Sequence, residues 1–131
     1  MATIFTRIVN GEIPSYKIAE TDQYLAFLDI FPLVKGHILV IPKQEIDYIF
    51  DMEDALLAGL MVFSKQVAKA LKAAIPCERI GVAVIGLEVP HAHIHLVPMN
   101  TMGDINFTKP KLQLSPSELT DTAEAIKKFI S

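Results

Sequence analysis

Three of the four histidines in this chain fall within five consecutive positions, at His91, His93 and His95. They alternate with apolar residues, and a β-strand places residues i, i+2 and i+4 on one face. The alternation therefore predicts a row of three imidazoles on one face of a strand, with Ala92 and Ile94 turned into a core. Because imidazole can donate, accept or attack near neutral pH, the row indicates a chemical site or a metal site.

Two chemistries remain open from the row alone. Neutral imidazoles bind zinc well, but such a site usually also needs a carboxylate or a cysteine, and Glu88 is the only acid close by in the sequence. In the other interpretation, one histidine attacks a phosphorus centre while its neighbours donate hydrogen bonds to the phosphoryl oxygens. The scarcity of arginine around the row gives slight weight to the nucleophile.

The composition limits the classes of partner. A chain of 131 residues, 51% hydrophobic and 21% charged, suits one globular domain with a full-sized core. With a net charge of −3 and only two arginines, it has no basic patch that would indicate a nucleic-acid partner. The single cysteine, Cys77, fits a reducing compartment, and no apolar run has the length of a signal peptide or a membrane span. We therefore expect a cytoplasmic protein without a membrane partner.

The hydrophobic pattern predicts an α+β domain with a mostly antiparallel sheet of about five strands, one long helix and a short C-terminal helix. The segments that predict strands are 16–20, 24–30, 37–42, 79–86 and 91–98. A short helical turn is expected at 4–9, and the last two strands are expected to be adjacent and antiparallel.

The ends of the two longer helices have local signals. Asp51 is the expected N-cap of the long helix, and Pro76 is expected to end it. Ser115 and Glu118 form a predicted capping box around Pro116, at the start of the C-terminal helix. Between them, the polar segment 100–111 predicts an extended loop that covers a site.

The order of these motifs resembles the histidine-triad (HIT) family, in its compact Hint-like branch. His37-x-Leu-Val-x-Pro precedes the long helix, and His91-x-His-x-His-x-x-Pro follows it. Segments 4–14 and 26–30 extend the resemblance over nearly the whole chain, which implies a single HIT domain over residues 1–131. The resemblance also implies a homodimer formed through the long helix and an edge strand.

The resemblance implies a nucleotide hydrolase or transferase that acts at the α-phosphate of a nucleoside phosphoramidate or dinucleoside polyphosphate. His93 would be the nucleophile, and its other ring nitrogen would donate to a backbone carbonyl such as that of His91. His95 and His37 would lie beside the phosphate as hydrogen-bond donors and charge stabilisers. The histidine adduct splits one displacement into two, and no cofactor or metal is expected.

The implied substrate is an AMP-like purine nucleotide. Asp29 matches the family's ribose-binding acid, although by itself it would equally be a turn residue at a strand end. Five apolar residues match the pocket that holds the base, and each has the alternative interpretation of a plain core residue: Phe5, Ile8, Phe27, Ile30 and Leu39.

The chain departs from the family pattern at two places. Many bacterial relatives carry a Cys-x-x-Cys as part of a structural zinc site, where this chain has Thr3 and Thr6, and the later histidine of that site corresponds to Glu45 or a neighbour. We therefore predict no structural zinc.

The second departure lies directly before the triad. Relatives have an Asn and a Gln in a segment that contacts the phosphate and the leaving group, and both are missing from the corresponding segment 84–90 of this chain. Glu88, followed by Val89, stands where a small hydroxyl residue is usual. Glu88 either selects a cationic leaving group, such as a lysine amine, or faces solvent. Two rival functions follow: a nucleotide-binding regulatory module with little turnover, and a metal-binding protein that uses the histidine row.

Overall fold

The structure, a computed structural model, describes residues 2–130, so the two ends of the expected domain, at positions 1 and 131, lie outside it. The sheet consists of β1 (Lys17–Glu20), β2 (Tyr24–Leu28), β3 (Ile38–Pro42), β4 (Arg79–Ala83) and β5 (Ile94–Met99). The helices are α1 (Ile4–Val9), α2 (Asp54–Ala74) and α3 (Pro116–Lys127). The strands are ordered β1-β2-β3-β5-β4, and all neighbours are antiparallel. The predicted fold class is confirmed.

At the centre of the sheet both faces are buried, and the strands β2 and β3 are accordingly apolar at every position rather than at every second one. On β3, Ile38 and Val40 join a large core with α2 and α3. Leu39 and Ile41 join a smaller core with α1 on the opposite face. His91 and His93, just ahead of β5, lie on the side of this smaller core, where their rings contact that of Phe5, while Ile94 points into the larger one.

The histidine strand is shorter than predicted, because its ladder begins at Ile94 rather than at His91. The backbone groups ahead of it have other partners. The N–H of His91 donates to the carbonyl of Val89, and that of Ala92 donates to the carbonyl of Ile46. The predicted alternation of faces nevertheless holds, since Ala92 and Ile94 lie in the large core. The preceding strand is also shorter and ends at Ala83 rather than at position 86.

The predicted start of the long helix at Asp51 is wrong. Asp51 ends a single 3₁₀ turn, and α2 begins at Asp54, with Glu53 as an N-cap that makes no side-chain capping bond. The interruption lies at Met52, which takes an extended backbone conformation and is buried in the large core. Burial of one side chain therefore outweighs the local capping signal.

The other helix signals hold. Ser115 accepts from the N–H of Glu118, and the Glu118 carboxylate accepts from the N–H of Ser115, so the predicted capping box starts α3. At the C-terminus of α2, Ile75 is extended, as expected for a residue before proline. Over residues 2–130, no helix is both long enough and apolar enough to span a membrane.

Candidate active site

A hydrogen-bonded histidine pair joins β3 to β5. His95 lies opposite Leu39 in the ladder, and its Nδ1 is 2.9 Å from the Nε2 of His37. The N–H of Leu33 donates to the Nδ1 of His37 over 3.1 Å. Because a backbone N–H can only donate, the Nδ1 of neutral His37 is an acceptor and its proton lies on Nε2, which donates to the Nδ1 of His95. His95 therefore carries its own proton on Nε2, as a donor on the far side of its ring.

His93 has the opposite polarity. Its Nδ1 is 2.7 Å from the carbonyl oxygen of His91, so Nδ1 carries the proton and donates it to that oxygen. The Nε2 of His93 is left with an unshared electron pair. The His93 and His95 rings lie 4.8 Å apart between centroids, and both residues are 7% exposed. The site thus presents an acceptor nitrogen beside an N–H donor.

His91 differs from His93 and His95 in the hydrogen bonds of its ring nitrogens. It is completely buried, its Nε2 donates to the carbonyl of Pro42 over 2.8 Å, and its Nδ1 is 2.9 Å from the hydroxyl of Thr3. Both ring nitrogens are therefore engaged within the protein. His91 contributes to the site through its backbone carbonyl, which orients His93.

Burial keeps all four histidines neutral at pH 7. It lowers the pKa of His37 to about 3 and that of His95 to about 4, with smaller contributions from neighbouring positive charge. It also lowers the pKa values of His91 and His93, although the hydrogen bonds to Pro42 and His91 act against it. His37 and His95 are consequently hydrogen-bond donors rather than cations, and the lone pair of His93 is available for attack.

Asp29 follows directly after β2 at the edge of this group. Its Oδ1 accepts from the N–H of Phe31 over 2.9 Å, and its Oδ2 lies 3.8 Å from the Nε2 of His37. Since His37 is neutral, this contact is not a salt bridge. Burial raises the pKa of the Asp29 carboxyl. Among the residues described, the Oδ2 atom accepts no hydrogen bond, which leaves it available to a ligand.

The apolar residues expected to hold a base are brought together except for one. Four of them are buried in the smaller core: Phe5, Ile8, Phe27 and Leu39. Val89 packs against this cluster, and the ring of Phe5 lies 5.0 Å from that of His93. Ile30, in contrast, is 48% exposed and lies outside the cluster.

Two further residues close to the site come from the loop after β5. The Phe107 ring lies 4.7 Å from that of His95 and 6.4 Å from that of His37, so the loop covers the histidine pair. The ammonium of Lys111 donates to the carbonyl of Phe107, and its charge contributes to the low pKa values of both histidines. Sequence analysis predicted a covering loop but missed both residues. The available signal was an isolated aromatic in a polar segment.

Comparison with known proteins identifies the family. The HIT domain profile matches residues 10–102. The chain belongs to the histidine-triad (HIT) family. An adenosine 5'-monophosphoramidase of Schizosaccharomyces pombe is 36% identical, over 99% of both chains. The recognition made from the sequence is thereby confirmed.

Solved structures agree. A HIT-like protein from Bartonella henselae, described as involved in cell-cycle regulation, has a TM-score of 0.85 at 28% identity, covering 97% of this chain and 95% of its own. A zinc-bound HIT protein from Mycobacterium smegmatis has a TM-score of 0.81 at 26% identity, covering 99% and 94%. The five-stranded sheet with its helices is therefore the HIT fold.

The residues at the zinc position of some HIT relatives do not suit zinc here. Thr3, Thr6 and Glu45 come together beside His91, as the resemblance implies. Zinc in proteins is held by thiolate, imidazole and carboxylate groups, and threonine hydroxyls are not among its usual ligands. The four side chains are instead hydrogen-bonded to one another. Only a carboxylate and an imidazole remain as donors, which is too few for a structural zinc site.

A second cluster has the residue types for a metal but the wrong proton arrangement. Side-chain atoms of Asp29, His37 and His95 all lie within 4.8 Å of one another. To bind a metal through Nε2, His37 would have to carry its proton on Nδ1, which faces the N–H of Leu33. The resulting clash of two donors leaves a buried group unsatisfied, at a cost of about 1–3 kcal/mol. The observed tautomers therefore favour hydrogen bonding over metal binding.

Glu88, the residue that departs from the family pattern, is exposed in the loop that leads into the triad. It lies close enough to the site for its negative charge to raise the pKa values of His93 and Asp29. The side chain therefore faces solvent, as the second alternative holds, while its charge still reaches His93; the selection of a cationic leaving group stays a prediction.

Proposed function

We propose that this HIT protein is a nucleotide hydrolase or transferase that cleaves AMP-like phosphoramidates or dinucleoside polyphosphates at the α-phosphate. The observation that carries the proposal is the lone pair on His93 Nε2, held by the hydrogen bond from Nδ1 to His91 and placed beside the N–H of His95. The relationship to a phosphoramidase of fission yeast supports the same class of substrate.

The first step forms a covalent intermediate. His93 Nε2 attacks the α-phosphorus, and the bond from phosphorus to the leaving group breaks as the P–N bond to histidine forms. The N–H of His95 donates to a phosphoryl oxygen and stabilises the charge that develops there. Since His95 and His37 are neutral, they act as donors rather than acids, and an amine leaving group takes its proton from water.

The second step returns the enzyme to its starting state. The hydroxide left from that water attacks phosphorus, the P–Nε2 bond breaks, and the nucleoside monophosphate departs. His93 regains its lone pair while its Nδ1 stays bonded to His91. One water is consumed over both steps, with its proton on the amine and its hydroxide on the nucleotide. In a transfer reaction, another acceptor takes the place of hydroxide.

Asp29 and the apolar cluster supply the proposed binding site. The free Oδ2 of Asp29 would accept from a ribose hydroxyl, and its raised pKa reflects a buried position where such a bond is strong. Phe5 and Leu39 would hold a purine against the smaller core, with Val89 and the exposed Ile30 at its margin.

The decisive experiment uses adenosine and guanosine 5'-phosphoramidates and a dinucleoside polyphosphate with the unaltered protein and with His93→Ala. We expect loss of turnover by at least about 10³-fold in the variant, as for removal of other nucleophiles. Lys72→Ala, on the exposed side of α2, is the control. Quenching in alkaline denaturant should trap an adenylyl group on His93, detectable by peptide mass spectrometry.

The other outcomes are equally distinct. Activity retained by His93→Ala would refute the mechanism. AMP binding without measurable hydrolysis would favour a regulatory nucleotide-binding module. Stoichiometric zinc in untagged protein, together with inhibition by chelators, would favour the metal-binding alternative.

We also propose that Glu88 favours a cationic leaving group. Its carboxylate is exposed yet acts on His93, so it is placed to attract a cationic amine at the mouth of the site. We expect Glu88→Gln to lower kcat/KM for an AMP phosphoramidate of a lysine-like amine by up to about 5-fold, because one exposed charge pair is worth up to about 1 kcal/mol. Turnover of a phosphoramidate of a neutral amine should stay unchanged. Equal effects on both substrates would exclude this role.

We also propose that the protein is a homodimer. β4 is an edge strand of the sheet, and five large apolar side chains on or near β4 and on α2 are exposed: Met61, Val62, Val82, Val84 and Ile85. Apolar edges of this kind favour pairing with a second chain. Light scattering should give a dimer mass that Val82→Lys lowers and Leu112→Lys, on the covering loop, does not. A monomeric unaltered protein would refute this.

A further inference from the structure

The Thr3 hydroxyl has one consistent role in its hydrogen-bond network. The Pro42 carbonyl can only accept, so His91 carries its proton on Nε2 and its Nδ1 is an acceptor. The Thr6 hydroxyl donates its hydrogen bond to the Glu45 carboxylate over 2.6 Å. The Thr3 hydroxyl therefore donates to the Nδ1 of His91 over 2.9 Å rather than to the Thr6 oxygen 3.3 Å away, because the buried nitrogen would otherwise lack a donor.

The same hydroxyl also holds α1 in place. Its oxygen accepts from the N–H of Thr6, which makes Thr3 the N-cap of α1. The N–H of Thr3 in turn donates to Glu45, 42 positions further along the chain. Thr3 is nearly buried, and its position is thus fixed by Thr6 and Glu45 at the point where it meets His91.

We propose that Thr3 is a positioning residue for the nucleophile, acting through His91. With Thr3 on one side and Pro42 on the other, the His91 ring is fixed at both nitrogens. A fixed His91 keeps its carbonyl directed at the Nδ1 of His93, 2.7 Å away. That hydrogen bond holds His93 in the tautomer with a free Nε2, whereas an isolated neutral histidine prefers the proton on Nε2.

This assignment also explains how the chain orients His91 without a metal. The two threonines and Glu45 lie together beside the Nδ1 of His91, and that nitrogen is satisfied by a hydroxyl proton. The inference rests on the proposed function only for its kinetic consequence. The tautomer of His93 can be measured whether or not the protein turns over a nucleotide.

The test compares Thr3→Val, which removes the hydroxyl with little change of shape, with Thr3→Ser, which restores it. Thr6→Val is the matched control, because the same change one turn along α1 removes only a long 3.4 Å contact with the Nδ1 of His91 and leaves the 2.9 Å bond from Thr3 in place. Two-bond ¹H–¹⁵N correlation spectra report the tautomer of each histidine. In the unaltered protein we expect the proton on Nε2 of His91 and on Nδ1 of His93.

In Thr3→Val, the fraction of His93 with the proton on Nδ1 should fall. The kcat for an AMP phosphoramidate should fall about 10-fold or more, as for the loss of other residues that orient a catalytic group. Thr3→Ser and Thr6→Val should retain the tautomer and keep kcat within about 3-fold of the unaltered protein.

An unchanged His93 tautomer in Thr3→Val would overturn the proposal, even if kcat fell. A proton on Nδ1 of His91 in the unaltered protein would overturn it without any variant, which covers the case in which Thr3→Val does not fold. Absence of turnover in the unaltered protein would count against the proposed function alone, because the tautomer populations still decide the role of Thr3.

Discussion

Acidification from about pH 7.5 to pH 5 is expected to destabilise the folded protein through His37 and His95. Their pKa values of about 3 and about 4 lie below the 6.5 of an unfolded histidine. A lowered histidine pKa means that the unfolded chain binds more protons, so stability is complete above about pH 6.5 and is lost as the pH falls toward the folded values. The stability is therefore lost over the pH range from about 6.5 down to the folded pKa values of about 3 and about 4.

The magnitude follows from proton linkage. At pH 5, each of the two histidines costs about 2 kcal/mol, since one pKa unit corresponds to about 1.4 kcal/mol and about 1.5 units of the window have been crossed. The pair thus removes about 4 kcal/mol, a large part of the typical 5–15 kcal/mol of a folded domain. His91 and His93, whose pKa values burial also lowers, act in the same direction.

The assay is urea unfolding at intervals of half a pH unit, with the free energy of unfolding extrapolated to water at each pH. His95→Asn is the informative variant, because its Oδ1 can still accept from the Nε2 of His37 while one titrating group is gone. The loss of stability between pH 7.5 and 5 should fall by about 2 kcal/mol in that variant. Glu124→Gln, on the exposed side of α3, should leave the profile unchanged.

Carboxylates contribute little in this interval. Those with lowered pKa values lose their stabilising contributions mostly below about pH 4.5, the ordinary value for glutamate: Glu20, Glu45, Asp104 and Glu118. Asp29 has a raised pKa and opposes the trend, so an Asp29→Asn background removes it. A free energy of unfolding that stays constant from pH 7.5 to 5 would refute the assignment of neutral, buried histidines. An undiminished slope in His95→Asn would refute the role of the pair.

Three further predictions concern the binding site, its cover and the core. The unaltered protein should bind AMP more tightly than its 2',3'-dideoxy analogue, and Asp29→Asn should reduce this ratio of Kd values by about 10-fold, as measured by calorimetry. The reason is that a hydrogen bond to a charged group is worth about 1.5–3 kcal/mol. An unchanged ratio would exclude a ribose contact. Phe107→Ala should admit water to the histidine pair and raise the pKa of His95 toward 6.5, because burial is the main cause of its low value. NMR titration measures this pKa. A pKa that stays at about 4 would show that the Phe107 ring does not exclude water. Gly59→Ala should destabilise the protein by about 1–3 kcal/mol in thermal unfolding, because the added methyl would lie 2.1 Å from the hydroxyl of Tyr24 and outweigh the gain in helix propensity; a higher melting temperature would contradict this packing argument.

The elements that sequence analysis placed correctly are those fixed by neighbours in the chain. The capping box of Ser115 and Glu118 spans four residues, and α1 follows from apolar spacing over one and a half turns. The boundaries that it missed are set by distant contacts. Met52 delays the start of α2 by entering the core, and the N–H of Ala92 is taken by Ile46, which shortens β5. Such contacts leave no local pattern.

The residues of the site divide in the same way, into those indicated by nearby sequence and those fixed by distant contacts. The resemblance to the family implied that His93 donates to a backbone carbonyl such as that of His91, two positions away, and the structure contains this bond. The residues that fix the tautomer of His91 were not predictable. Thr3 is 88 positions from His91, and Pro42 is 49 positions away. A hydroxyl or a carbonyl has no distinctive sequence signal, so its role depends on a geometry that only the folded chain provides.

The arrangement as a whole produces a pair of nitrogens with opposite polarity from chemically identical side chains. Leu33 donates to His37, which donates to His95, so this chain of bonds ends in an N–H directed away from the protein core. The bond from His93 to the carbonyl of His91 runs the other way and ends in a lone pair. Attack on a phosphorus centre needs both at once, a nucleophile for phosphorus and a donor for its oxygen. Because each backbone group at the start or end of these chains can only donate or only accept, the fold itself decides which imidazole presents a lone pair and which presents an N–H.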